Sequence, residues 1–215
     1  MSELIAVLAG TPVDTQMGME CLAKAGLNGL AFPLASDPRQ QTAFQLSSQA
    51  EKSAAVRAVL AKARSRGCEK VFVYCNSLSG AVDFPRLAAE TGMAIVTPLD
   101  IYRELAPRHR RLGLIAANAQ GLAGIERTLL TANPELDLLG ACMLPAVESI
   151  EAGQPPEMLV VQHHLPELAE WFRLCGMEAL VLGCTHFPYF KDALAKRTSL
   201  PLINPAEEMV RRIME

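Results

Sequence analysis

Apolar residues come along this chain in short unbroken runs separated by longer amphipathic stretches. Residues 4–9 form one such run, stopped by Gly10, Thr11 and Pro12. A continuous run of this length suits a strand buried on both faces of a parallel sheet. Residues 14–22 read as a loop entering a helix, with Asp14 or Thr15 as its N-cap. Residues 29–34 form a weaker second strand, and 36–42 a polar, turn-rich loop. From 44 to 66 the apolar residues Ala50, Ala54, Val56, Val59, Leu60 and Ala63 fall at helical spacing, and Gly67 stops them. Residues 71–74 are a third strand leading into Cys75. A helix follows over 80–91, then a fourth strand over 93–98, stopped by Pro98.

The order then restarts. Residues 112–117 are a strand leading to Asn118, 122–130 a helix, and 138–144 a strand. A long helix over 156–174 ends at Gly176. Strand 179–182 leads to Cys184, and 200–205 closes the series. The halves superpose at an offset of 109: Gly67 on Gly176, Glu69 on Glu178, Cys75 on Cys184, and Asn76-Ser77 on Thr185-His186. The first strands match at the same offset, Leu4 with Gly113. The fourth match at 107 (205 − 98), through Pro98 and Pro205. A duplicated β/α unit accounts for this order and spacing.

Alternating strands and helices imply parallel sheets with right-handed crossovers. The expected fold is therefore α/β, with two similar parallel-sheet domains related by a pseudo-twofold axis. The first takes residues 1–98 plus 206–215 and carries Cys75; the second takes 99–205 and carries Cys184. Ligands of such folds bind beyond the carboxyl ends of the strands. Each half thus offers one thiol at its binding edge, and a site in the cleft between the domains is the expectation.

Composition narrows the classes. The chain has 215 residues, half of them hydrophobic, enough for a sizeable core. Net charge is −3, and the one basic cluster, Arg108-His109-Arg110-Arg111, reads as a solvated loop, which disfavours nucleic acid. The opening residues carry an acid where a leader needs positive charge, and no apolar stretch approaches membrane-helix length. A cytoplasmic protein without membrane association is expected. Six cysteines include no C-x-x-C pair and should be reduced thiols. Cys21, Cys68, Cys142 and Cys175 read as small buried hydrophobes. His163 and His164 lie within the predicted long helix, one of them facing solvent. Trp171 and Phe172 read as packing residues at a domain or subunit interface.

Two facing thiols suit inversion of a carbon acid. Taking the α-proton of an amino acid from one side and returning it on the other needs a base and an acid in contact with one carbon. A thiolate and a thiol can serve in both directions. Backbone amides with Asn76, Ser77 and Thr185 can hold a carboxylate. No lysine or glycine-rich signature suggests pyridoxal phosphate.

These residues resemble a known family. Val181-Leu-Gly-Cys-Thr-His-Phe-Pro188 is similar to the second cysteine motif of glutamate racemases, and Cys75-Asn-Ser-Leu-Ser-Gly-Ala81 resembles their first. Asp14-Thr-Gln-Met-Gly18 resembles the Asp-Ser-Gly segment after their first strand. The resemblance, to the aspartate/glutamate racemase superfamily, runs from end to end. It implies an amino-acid racemase with no cofactor and no metal, an amino acid as its small-molecule partner, and a homodimer. It implies Cys75 and Cys184 as the acid/base thiols, Asp14 and His186 as their proton partners, and Thr15, Asn76, Ser77, Thr185 and Asn118 as substrate-binding residues. The histidine after the second Cys-Thr favours glutamate over aspartate. Departures are clear: Gln16 and Met19 replace two family glycines, residues 37–42 replace a Pro-Tyr-Gly loop, and Ala117-Asn-Ala-Gln120 replaces a threonine-rich segment. Side-chain recognition is thus altered, and Arg39 is a candidate partner for a distal carboxylate.

Other readings stay open. A decarboxylase or isomerase relative would use Cys184 alone, against which the aligned Cys75 argues. A catalytically silent two-domain ligand-binding protein would bind without exchanging the α-proton. A metal site on Cys75, Cys184 and His186 would need a fourth ligand or an open position. A phosphatase is disfavoured because no arginine stands six positions after either cysteine. A Cys75–Cys184 disulfide switch needs α-carbons within about 7 Å, which bound substrate would exclude.

Overall fold

The unbroken apolar runs become inner strands. The computed structural model describes residues 3–36, 40, 43, 44 and 46–215. Within it β1 (Leu4–Ala9), β2 (Asn28–Pro33), β3 (Cys68–Val73) and β4 (Ala94–Val96) form one sheet in the order β2-β1-β3-β4. A second sheet holds β5 (Arg111–Ala116), β6 (Asp137–Cys142), β7 (Ala179–Leu182) and β8 (Leu202–Ile203) in the order β6-β5-β7-β8. Every pairing is parallel. Inner strands have no solvent face, so β1 and β5 are buried at all but their first residue and β7 at every residue. The edge strands β2 and β6 stay largely open to solvent, which is why their sequences are less uniformly apolar.

The chain divides into two units, Met1–Asp100 with Ala206–Glu215, and Ile101–Pro205, one sheet to each. Pro98 does not close β4, which ends at Val96; it opens a helix, Pro98–Leu105. The duplication shows in the strand register. Leu8 pairs with Val73 and Ile115 with Leu182. The next amide along, Tyr74 or Gly183, donates to the Leu8 or Ile115 carbonyl at 2.8 and 2.7 Å. The third strands are therefore offset by 109 (182 − 73), but the first by 107 (115 − 8), which corrects the predicted match of Leu4 with Gly113. Two extra residues separate the first two strands of the second unit, one of them in the intervening helix. Gly67 and Gly176 are true counterparts, both left-handed (φ 83° and 80°) just past a helix end, where a β-carbon would be strained.

Several helix boundaries differ from expectation, each for a local reason. Helix α1 (Pro12–Lys24) is capped by Thr11, not by Asp14 or Thr15: Pro12 fills the first helical position and Thr11 Oγ1 accepts the Asp14 amide at 3.3 Å. The helix predicted from 44 begins at Gln49 as α2 (Gln49–Ser65), because Ser48 and Glu51 form a reciprocal capping box. The helix predicted over 80–91 is two, α3 (Asn76–Ala81) and α4 (Phe84–Thr91), since Asp83 accepts the Arg86 amide and starts a new helix with Pro85 in its first turn. In the second unit come α5 (Pro98–Leu105, which spans the boundary), α6 (Ala119–Ala132) and α7 (Leu144–Glu151). The predicted long helix is broken into α8 (Pro156–Gln162) and α9 (Leu165–Leu174). Pro166 lacks the N–H that a continuous helix would pair with Gln162, and His164 turns left-handed (φ 51°). His163 and His164 thus lie in the break; His164 faces solvent, and His163 Nε2 is 2.8 Å from Ser149 Oγ. Phe172 is a core residue of its own unit, fully buried beneath Gly113, whereas Trp171 is exposed.

Helix α10 (Lys191–Ala195) follows a 3-10 turn, Phe187–Phe190. Helix α11 (Pro205–Met214) returns to the first unit, where Met209 and Ile213 are buried and Lys70 Nζ donates to the Ile213 carbonyl at 2.8 Å. Of the four cysteines read as buried, only Cys68 is; Cys21 and Cys175 are half-buried, and Cys142 is exposed because it ends the edge strand β6. The basic cluster is not simply a solvated loop: Arg111 opens β5 and binds Asp137 at 3.1 Å, and His109 sits 3.2 Å from Glu178. Among the described residues no helix is long and apolar enough to cross a membrane, and no cluster of three or more His, Cys, Asp or Glu side chains could hold a metal ion.

Just past β7, Gly183 lies hard against β5, its amide donating to the Ile115 carbonyl at 2.7 Å. A β-carbon there would lie 2.8 Å from the Ile115 carbonyl oxygen and 2.6 Å from Leu114 Cδ1. Gly183→Ala should therefore cost about 1–3 kcal/mol in urea unfolding, since backbone cannot give way. Gly80→Ala, in open space within α3, should be neutral or gain up to about 1 kcal/mol.

Candidate active site

In the first unit, β3 runs through Tyr74 into Cys75, the residue at which α3 begins. Cys75 is buried; its sulfur lies 3.4 Å from Ser77 Oγ, and its carbonyl accepts the Ser79 hydroxyl at 2.7 Å. Thr11 starts α1 at the end of β1, which puts Asp14 and Thr15 in the first helical turn, both almost fully buried. A carboxylate is favoured there by the helix dipole. One turn later Gly18 lets α1 rest directly on the sheet, for a β-carbon would lie 2.7 Å from Val7 Cγ1 and 2.9 Å from Tyr74 Cβ. That close seat brings the Asp14 carboxylate within electrostatic reach of the Cys75 thiol. Burial first, and the Asp14 charge second, push Cys75 up from 9.0 to about 11; the Ser77 hydroxyl and the Leu78 and Ser77 amides pull the other way without prevailing. At neutral pH Cys75 keeps its proton.

The second unit surrounds its thiol differently. Cys184 follows Gly183 at the end of β7, is buried, and has its sulfur 3.6 Å from His186 Nδ1. His186 Nε2 lies 3.2 Å from Glu151 Oε1. A carboxylate oxygen accepts, so the hydrogen of this contact is on Nε2, and Nδ1 is the ring nitrogen that faces the sulfur. Glu151 ends α7, where a negative charge is unfavourable to the helix, so helix stability does not account for its place. Behind the thiol Tyr102 is fully buried, its phenol pushed above the usual range by burial and then by Cys184.

The sequence-derived residues thus fall into two groups. Asp14, Cys75, Asn76 and Ser77 gather where β1 and β3 end, and Cys184, Thr185 and His186 where β7 ends. Asn76, Ser77 and Thr185 are half-buried. The Thr15 hydroxyl donates to the Thr11 carbonyl at 2.7 Å and retains its acceptor lone pairs. Asn118 follows β5 and caps α6 through Oδ1, which accepts the Gly121 amide at 2.9 Å. Arg39 lies outside the described residues. Glu151 and Tyr102 are additions. The internal repeat could not find Glu151, because the offset of 109 lands on Thr42, which is not acidic; its signal is the fold placing α7 after β6.

Comparison with known proteins bears on this geometry. The sequence matches the Asp/Glu/Hydantoin racemase family model over residues 16–213. The glutamate racemase of Thermus thermophilus is 29% identical over 151 residues, which cover 69% of this chain and 55% of that protein. The chain thus spans little more than half the length of the sequence relatives it matches. Among solved structures, glutamate racemase from Francisella tularensis in complex with D-glutamate has a TM-score of 0.74 at 16% identity, over 99% of this chain and 80% of that one. Aspartate racemase from Picrophilus torridus has a TM-score of 0.70 at 13% identity, over 99% and 93%. These structural likenesses establish a shared fold.

The raised Cys75 thiol has a measurable signature. A ¹³Cβ-cysteine NMR titration should place its midpoint near 11, and Asp14→Asn should lower it. The folded thiol holds its proton to about 11 and an unfolded one to about 9, so between these values the folded state binds more protons. The stability this group contributes should be fully present below pH 9 and be lost as pH rises through 11.

Proposed function

Because the chain belongs to the Asp/Glu/Hydantoin racemase family, we propose that it is a cofactor-independent racemase inverting the α-carbon of a free acidic amino acid, glutamate or aspartate. The observation that carries the reading is the contrast between two sulfurs at equivalent strand ends: Cys75, whose burial and then the Asp14 carboxylate keep its proton on, and Cys184, beside a histidine–glutamate pair that can draw its proton off. Unlike surroundings of two like groups are what assigns one as acid and the other as base.

In this reading Cys184 passes its proton to His186 Nδ1, and the Glu151 carboxylate stabilises the imidazolium. The Cys184 thiolate removes the substrate's α-proton, and the electron pair left on carbon delocalises into the α-carboxylate. The Cys75 thiol then delivers its proton to the opposite face, leaving Cys75 as thiolate and Cys184 as thiol. The other enantiomer follows the same path backwards. Asp14 assists Cys75, while Asn76, Ser77, Thr185, Asn118 and Thr15 hold the substrate's carboxylate and ammonium groups. Glutamate and aspartate head the candidate substrates because the named relatives are glutamate and aspartate racemases.

Two outcomes test the mechanism. In heavy water, Cys75→Ser and Cys184→Ser should each abolish α-proton exchange starting from a different enantiomer while leaving exchange from the other. If both variants handle both enantiomers as the parent does, the two-thiol assignment is wrong. Glu151→Gln should lower kcat for racemisation on the order of 10²-fold with little change in KM, because an amide can turn its own donor toward Nε2 and favour the wrong tautomer.

A further inference from the structure

The segment that carries Glu151 is exposed yet tied down on both sides. Glu151 is the last residue of α7 and precedes a turn through Ala152 and Gly153, where Gly153 is left-handed (φ 74°). A helix end followed by such a turn is a place where the chain frays. Here it does not hang loose. Two residues before Glu151, Ser149 Oγ lies 2.8 Å from His163 Nε2 at the break between α8 and α9. Three residues after it, the Gln154 side chain donates to Gln162 Oε1 at 2.6 Å, and the Gln154 carbonyl accepts the Tyr189 hydroxyl at 3.0 Å.

The last of these contacts differs in kind, because Tyr189 belongs to the 3-10 turn that His186 begins. His186 and Tyr189 are three residues apart, and so are Glu151 and Gln154. The two short segments are therefore joined by two rungs, Glu151 to His186 at 3.2 Å and Gln154 to Tyr189 at 3.0 Å. The second rung fixes the separation that the first needs. From this geometry we propose that Tyr189 is a positioning residue: its hydroxyl holds the Glu151 carboxylate on His186 Nε2 and so keeps Nδ1 aimed, as an acceptor, at Cys184. Tyr189 is not assigned contact with substrate, and the proposal rests on the proton relay described above. Losing one exposed hydrogen bond should weaken that alignment, not destroy it, which corresponds to about a three- to tenfold effect on turnover.

The test is a double-mutant cycle on the full chain, with glutamate as substrate, comparing the parent with Tyr189→Phe, Glu151→Gln and the double variant. The change to phenylalanine removes only the hydroxyl. Tyr189→Phe should lower kcat about three- to tenfold with KM little changed, and should cause no further loss when Glu151 is already glutamine. The second readout is the ¹⁵N shift of His186 Nε2 at one fixed pH, which Tyr189→Phe should move toward its Glu151→Gln value. Equal fractional losses in both backgrounds, or a His186 Nε2 shift that does not move, would overturn the proposal. If Glu151→Gln alone leaves kcat intact, the relay has no role and the proposal falls with it. If the parent turns over no amino acid, the racemase reading fails, while the His186 shift still decides whether Tyr189 holds Glu151.

Discussion

The structure depends on where a parallel strand must stop. All strands of such a sheet leave it at one edge, and the last amide bound to a neighbour decides which residue is first to emerge. Tyr74 and Gly183 make that final bond, to Leu8 and Ile115, so Cys75 and Cys184 are the first residues outside the ladder. Their backbones are fixed by buried sheet, not by side-chain contacts of their own. A thiol placed in this way has little freedom to drift, which the proposed proton transfer requires. Helix α3 adds amide donors to Cys75, and the glycines at 18 and 183 let neighbouring elements close in beside each strand end.

Equivalent strand ends then receive unlike neighbours. In the first unit the partner arrives from α1, as a carboxylate almost wholly removed from water. In the second it arrives from the residues directly after the cysteine, with a glutamate from α7 behind it. The duplication supplies the positions of the sulfurs, and the departures from it supply their difference. A symmetric pair would hold both protons equally. The proposed two-thiol inversion calls for one proton held and one released, so under that reading the asymmetry matters as much as the repeat.

Much of this was legible in the sequence because inner strands leave an unmistakable trace. Residues 4–9 and 179–182 have no solvent face and so read as unbroken apolar runs, each followed by small or capping residues. The repeat exposed the pairing of the two cysteines, since their spacing from Gly67 and Gly176 is fixed by a left-handed helix end. The missed features depend on local contests that periodicity does not register. Ser48 with Glu51, and Asp83 with Pro85, start helices inside stretches whose apolar spacing runs on unbroken. Pro166 breaks a helix that periodicity would carry to Leu174. Glu151 was invisible because its meaning lies in a contact 35 residues away with His186, and nothing near it in sequence marks it out.

Helix α11 carries a consequence for how the molecule is made. Its buried Met209 and Ile213 belong to the first unit, whose other residues end at Asp100. The second unit is therefore an insertion, continuous from Ile101 to Pro205. On the ribosome it can gather all its strands while the first still lacks one wall. The contact between Lys70 and Ile213 spans 143 positions, and so it can close only after the whole second unit has been made. The unit that begins before the insertion is completed only after it, and until α11 docks the apolar side it covers is open to misassembly.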